Sequence, residues 1–238
     1  MPMINLKNIA LAYNGKVVLR DLNLKVKGNQ LTCLLGSSGS GKTSILRLIA
    51  GLETPENGTI TIDDIIVSAN RKALVPPHRR NLGFIFQDLA LWPHFTVYKN
   101  IAFGLQERSK KKVKNTVFEM LDFFNLSEHA DKYPHQLSGG QKQLVAISRA
   151  LVLKPKILLM DEPLANLDVK LKRKILDHIV NLCKSFDLTI LYVTHDHKEA
   201  FAIADEIVVM NKGRIEESGT ASQIKESDNK YIKSFIEI

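Results

Sequence analysis

Three clusters in this sequence have the residue types and spacing of phosphate chemistry. The first, Gly36-Ser37-Ser38-Gly39-Ser40-Gly41-Lys42-Thr43, fits the P-loop pattern at every fixed position. Its glycines let the backbone turn so that successive N–H groups face one point, and a helix starting there adds partial positive charge. Phosphate suits that cradle: Lys42 reaches β- and γ-phosphate oxygens, and the Thr43 hydroxyl is a ligand for Mg²⁺. The second cluster is Asp161-Glu162, where charge appears as the apolar run Ile157-Leu158-Leu159-Met160 stops. Ligands of parallel α/β sheets gather beyond the strands' C-terminal ends, so these acids would face the cradle. Asp161 is suited to holding Mg²⁺, directly or through water, and Glu162 to orienting an attacking water and taking its proton. The third is His195, at the end of the run Thr189 to Val193, where the same strand-end logic makes it a donor for the γ-phosphate. A metal site on His195 and His197 is a poor fit, because two residues apart where a strand ends they can point in opposite directions and no third ligand is near.

Three further features are ambiguous alone. Tyr13 precedes the turn-forming pair Asn14-Gly15, where an aromatic ring serves either stacking on adenine or ordinary packing. Gln87 follows the strand-like Leu82 to Phe86, and its amide could reach Mg²⁺ or a water. Leu137-Ser138-Gly139-Gly140-Gln141 is either a second phosphate nest at a helix start or a plain N-cap with Ser138 as the cap.

The elements that must position these residues follow from periodicity. Strands are predicted over Ile4–Leu11, Val17–Leu19, Leu22–Val26, Leu31–Leu35, Gly58–Ile62, Leu82–Phe86, Ile157–Met160, Thr189–Val193, Glu206–Met210 and Arg214–Ser218. Helices are predicted over Ser44–Ala50, Val97–Leu105 with Thr96 as cap, Val113–Phe124, Gly139–Leu153, Val169–Phe186 and Lys198–Ala204, with a polar helical tail. Ser68–Arg80, holding Pro76-Pro77, reads as a loop, as does Leu164–Asp168. Asp88 to about Leu153 thus stands out as a helical insertion.

At 238 residues, 45% of them hydrophobic, the chain fits one large α/β domain. It has no charged leader with an apolar core and no apolar run near the roughly 20 residues that span a bilayer, which predicts a cytoplasmic location. Cys33 and Cys183 lack metal-site spacing and read as buried thiols. The net charge of +8 is concentrated in Arg108 to Lys114, Arg71-Lys72 and Arg79-Arg80, which read as solvated faces or as contacts for lipid headgroups or protein.

Taken in order, Tyr13, Gly36 to Thr43, Gln87, Leu137 to Gln141, Ile157 to Glu162, Leu164 to Asp168 and His195 resemble the ATP-binding cassette ATPases over nearly the whole chain. The resemblance implies an α/β P-loop NTPase in one domain, 1–238. A β subdomain and RecA-like core would occupy 1–87 and 154–238, and a helical signature subdomain 88–153. It implies that Tyr13 stacks on adenine and that Ser44 joins the cradle. Gln87 would link Mg²⁺ and the attacking water to the helical subdomain, and Glu162 would be the base. Ser138, Gly139, Gly140 and Gln141 would close on the γ-phosphate held by a second copy, so that two ATP molecules are sandwiched with Asp168 at the junction and His195 on the γ-phosphate.

The stretch Leu91-Trp92-Pro93-His94-Phe95-Thr96-Val97, continuing through Asn100 to Leu105, is similar to the segment of bacterial importers for metal ions, oxyanions, polyamines and thiamine that receives the permease's coupling helix. The expected partners are thus permease subunits, a second copy and a substrate-binding protein, on the inner face of the membrane, without direct nucleic acid contact. Many such relatives carry a C-terminal regulatory domain, and the chain is expected to lack one. Lys142, Leu144 and Ala165 depart from the usual residues of the family but remove no phosphate or Mg²⁺ ligand. An exporter or lipoprotein-release ATPase is the alternative, followed by a soluble cassette protein acting on DNA or the ribosome.

Overall fold

The computed structural model describes residues 2–105, 109–165 and 167–236. Arg108 of the basic run and Asn166 of the loop before Asp168 lie outside these. Two sheets enclose one apolar core between them, and a second core lies on the far face of the parallel sheet. The first is antiparallel, in the order β2-β1-β4-β5-β6, from β1 (Pro2–Tyr13), β2 (Lys16–Lys27), β4 (Asn57–Ile62), β5 (Ile65–Ala69) and β6 (Lys72–Ala73). The second runs β11-β10-β3-β9-β8-β7, from β3 (Leu31–Gly36), β7 (Leu82–Ile85), β8 (Ile157–Asp161), β9 (Thr189–Thr194), β10 (Glu206–Asn211) and β11 (Arg214–Gly219). Its five strands from β10 to β7 are parallel, and β11 runs against β10.

Both faces of the parallel strands are covered, which is why they are apolar runs and not alternating ones. Leu34, Leu159, Leu191 and Val193 face helix α1 (Lys42–Ala50) and the antiparallel sheet. Cys33, Leu158, Met160, Ile190 and Tyr192 face α4 (Gly139–Leu151), α5 (Val169–Ser185) and α6 (His197–Ile203). Helix α1 is wedged between the sheets with Ile45, Leu46, Leu48 and Ile49 at 0% exposure, so the P-loop ends in a helix that cannot tilt without opening the core. Between β7 and β8 the chain is helical: α2 (Val97–Ala102), a short 3₁₀ turn to Leu105, α3 (Lys110–Phe123) and α4. Helices α7 (Ala221–Lys225) and α8 (Lys230–Ile236) close the chain.

Several expectations need correction. Val17–Leu19 and Leu22–Val26 form one strand, which passes Asp21 at φ 44° and shifts register opposite Asn8. The expected loop Ser68–Arg80 begins inside β5 and contains β6. Arg80 is not part of a solvated basic face: it is 4% exposed. Its guanidinium donates to the Leu48 and Ile49 carbonyls at the end of α1, to the Val67 and Val75 carbonyls and to Ser68 Oγ, at 2.8 to 3.1 Å. Burial lowers its pKa to about 10, so it stays a cation at neutral pH, a favourable charge at a helix C-terminus. Helix α3 starts three residues before the expected Val113, and the expected helix to Leu105 is α-helical only to Ala102.

Candidate functional site

The P-loop leaves β3 and enters α1 through Gly41, whose φ of 101° belongs to glycine and whose position is too close to Leu19 for a side chain: a Cβ would lie 2.6 Å from Leu19 Cδ2. Lys42 is 4% exposed and folds back into its own loop. Its Nζ donates to the Gly36 carbonyl at 2.8 Å, the Ser37 carbonyl at 2.9 Å and Ser40 Oγ at 3.4 Å. Burial lowers its pKa below the ordinary lysine value, against the pull of Glu162 and Asp161. These backbone acceptors are poor substitutes for phosphate oxygens, so the ammonium is held where an anion would draw it out.

Strand β8 brings Asp161 to α1: Thr43 Oγ1 donates to Asp161 Oδ1 at 2.9 Å. Burial, ahead of every other influence, pushes the Asp161 carboxyl up. Glu162 leaves the strand at φ 40°, a left-handed conformation costing roughly 1–2 kcal/mol for a residue with a Cβ. Its N–H donates to the Val193 carbonyl at 3.0 Å, and that turn aims its side chain at β9's end, where Glu162 Oε2 lies 2.9 Å from His195 Nδ1. Glu162, Lys42 and Thr43 line one cleft of about 610 Å³ with Tyr13, Ser38, Gly39, Gly41 and Ser44. Tyr13 donates its hydroxyl to Glu53 and meets Ser44 Oγ at 3.4 Å, which fixes the ring at the rim.

The remaining predicted residues lie elsewhere. Gln87 is exposed in the turn after β7, and among the described residues no hydrogen bond joins it to Thr43 or Asp161. Ser138 is the N-cap of α4, its Oγ accepting from Gln141 N at 3.3 Å while Gln141 Oε1 accepts from Ser138 N at 2.9 Å. Gln141 Nε2 donates to His129 Nε2 at 2.7 Å. Asp168 caps α5 by accepting from Leu171 N at 3.0 Å. Neither Asp168 nor any residue from Ser138 to Gln141 lines the cleft of the P-loop. Gly140 is glycine for a close approach: a Cβ would lie 2.8 Å from Leu171 Cδ1 on α5.

A family model described as ABC transporter matches residues 19–165. The chain belongs to the ABC transporter family. The chain is 42% identical to the spermidine/putrescine import ATP-binding protein PotA of Clostridium acetobutylicum, over 98% of this chain and 66% of that protein. It is 43% identical to the sulfate/thiosulfate import ATP-binding protein CysA of Pseudomonas aeruginosa, over 94% of this chain and 68% of that one. With the Fe(3+) ions import ATP-binding protein FbpC of Mannheimia succiniciproducens the identity is 44%, over 94% and 63%. This ABC transporter-family chain thus spans about two thirds of the length of these curated relatives. Its fold superposes on the dimeric structure of the bacterial ABC transporter cassette MJ0796 with a TM-score of 0.81, 32% identity and coverage of 92% and 99%. A post-hydrolysis form of that cassette bound to ADP and Pi gives 0.80 at 31% identity over the same shares. The fold is the α/β P-loop NTPase of the family, as the sequence implied.

Sequence reasoning missed several residues in and around the cleft. Lys16, Arg20 and Lys212 put three cations on the wall of the same cleft; Lys16, next to Asn14-Gly15, and Lys212, between two expected strands, stood near recognised signals. Arg149 of α4 donates to the Leu89 and Ala90 carbonyls at 2.7 and 2.6 Å and lies over the Trp92 ring at 4.9 Å. It ties the helix of Ser138 to the turn that carries Gln87. Leu89 and Ala90 both have positive φ, a feature with no composition signal.

Proposed function

We propose that this chain is an ATPase subunit that energises uptake of a small solute through a separate membrane permease. The observation that carries it is the convergence of Lys42, the Thr43–Asp161 pair and the Glu162–His195 pair on one side of the P-loop. Import is supported by the names of the relatives, and docking by a groove of about 530 Å³ that Phe95, Tyr98, Phe103 and Val113 line, flanked by Lys99 and Lys110. Trp92 packs against Phe103 and Phe95 beside it. Among the described residues no helix is long and apolar enough to cross a membrane, so the permease supplies the pore and this subunit sits on its inner face. A substrate-binding protein would complete the system.

ATP would lie in the cleft with its adenine on Tyr13 and its phosphates in the cradle Gly36 to Ser44. Lys42 Nζ leaves its loop carbonyls for β- and γ-phosphate oxygens, exchanging neutral acceptors for charged ones. The residues present fit Mg²⁺: a hydroxyl and a desolvated carboxylate oxygen already meet at 2.9 Å. Among the described residues no three His, Cys, Asp or Glu side chains gather for a metal, so phosphate and water would fill the rest of its shell, as Mg²⁺ prefers. Thr43 and Asp161, with Gln87 at its turn, would hold it, and when bound it neutralises phosphate charge. Glu162 then takes a proton from the attacking water, while His195, positioned by its hydrogen bond to Glu162, donates to the γ-phosphate. Ser138 to Gln141 and Asp168 would be supplied across a head-to-tail interface by a second copy.

Glu162→Gln keeps the acceptor for His195 but not the base. Expected is ATP affinity within about twofold of the parent, phosphate release lower by about two orders of magnitude, and a dimer in gel filtration with ATP. Turnover at the parental rate would remove Glu162 from this role.

A further inference from the structure

The mechanism above leaves the buried carboxylate of α6 unused. Glu199, the third residue of α6, is 5% exposed. It accepts from Tyr192 Oη and Thr194 Oγ1, both at 2.9 Å through Oε2, and from Lys172 Nζ at 2.7 Å through Oε1. Two of these donors are the last residues of β9 facing this side, immediately before His195. The Thr194 hydroxyl oxygen in turn accepts from Asp196 N at 3.0 Å, so the backbone on both sides of His195 is fastened to one carboxylate. Lys172 also lies 3.7 Å from Asp196 Oδ2. Burial alone would lower the Lys172 ammonium, but the Glu199 and Asp196 carboxylates together outweigh it and hold the pKa above the ordinary value.

Lys172 belongs to the first turn of α5, and its backbone N–H donates to the Asp168 carbonyl at 2.9 Å. The neighbouring Leu171 is the residue that packs on Gly140, and Leu167 sits as closely on Gly139. One face of this turn therefore touches the Ser138-to-Gln141 segment and the other holds Glu199. A buried pair of this kind is poor evidence for added stability, since apolar residues would fill the space as well. What it supplies is a fixed geometry between two otherwise separate loops.

We infer that Glu199 is a positioning residue: through Lys172 it makes the Asp168 end of α5 and the His195 segment one rigid body. On the proposed function, closure of a second copy on Ser138 to Gln141 and Asp168 would thereby set His195 in this chain's own cleft. Each ATP site would report its occupancy to the other through a carboxylate that touches neither nucleotide.

The test uses the full chain with Glu199→Gln, Lys172→Met, the double variant and Lys172→Arg, in two readouts. Amide exchange at residues 194–198 without nucleotide should rise about tenfold in the first three and stay parental in Lys172→Arg, which keeps the charge pair. With ATP, kcat should fall about tenfold while KM stays within about twofold. The double variant should be no worse than the worse single one, as residues acting in series require. Parental exchange and kcat in Glu199→Gln overturn the inference, as do losses that add in the double variant. If Glu199→Gln fails to fold, Lys172→Met, at a half-buried position, decides by the same criteria. Absence of ATP turnover in the parent would count against the proposed function, while the exchange readout still decides the role of Glu199.

Discussion

Asp161, 6% exposed, lies behind the cleft-lining Thr43, its one hydroxyl donor, with a second carboxylate, Glu162, beside it. A desolvated carboxylate with an acidic neighbour is costly to the empty protein and useful only when a cation arrives. Asp161→Asn keeps an oxygen that can accept from Thr43 Oγ1 while removing the charge. The variant should therefore melt at the same temperature as the parent or a few degrees higher without ligand, and bind ATP with Mg²⁺ about 10- to 100-fold more weakly. Calorimetry with and without MgATP checks both halves. A variant that melts well below the parent would show that Asp161 is there for the fold. The left-handed backbone of Glu162 belongs to the same account: strain at a residue that must point at β9's end is tolerated because Val193 and Ala165 hold its peptide groups.

At the scale of elements, the cradle is only as fixed as α1, and α1 is fixed at its far end by Arg80. Removing that guanidinium leaves the Leu48, Ile49, Val67 and Val75 carbonyls short of a donor in the core. Arg80→Met should cost about 3–5 kcal/mol in denaturant unfolding, and Arg80→Lys should recover little of it, because one ammonium cannot reach acceptors on three elements. Full stability in the lysine variant would contradict the bridging role. Arg80 also marks what the sequence hides. The P-loop, the acids at the end of β8 and His195 were legible because each sits in a short segment whose own spacing and strand-end position imply its chemistry. Arg80, Arg149 and Glu199 have their meaning in partners up to 60 residues away, and a lone arginine or glutamate gives no sign of this. Strand β5 escaped notice because Ile65 and Ile66 both point outward, 61% and 50% exposed, and so break the alternation that identifies a half-buried strand.

At the scale of the whole molecule, the proposed function divides the site into two halves, and the P-loop cleft and the start of α4 do not meet within this chain. Gly139 is exposed at the start of α4 next to exposed Ser138, while the cleft of the P-loop is walled by other residues. A helix N-terminus of a 13-residue helix, presented outward and capped only by its own serine, offers donors to an anion that another copy would bring. If each complete site takes a P-loop from one copy and Ser138 to Gln141 from the other, defects in the two halves should complement. Lys42→Ala removes the cradle's cation and Ser138→Arg blocks the nest, so neither homodimer has a working site. Mixed in equal amounts, half of the dimers pair one of each and hold one intact site out of two. Phosphate release should then recover to about a quarter of the parental rate at saturating protein, and should fall on dilution as the dimers part. Two inactive variants that stay inactive together, at concentrations where the parent is dimeric with ATP, would place the whole site within one chain.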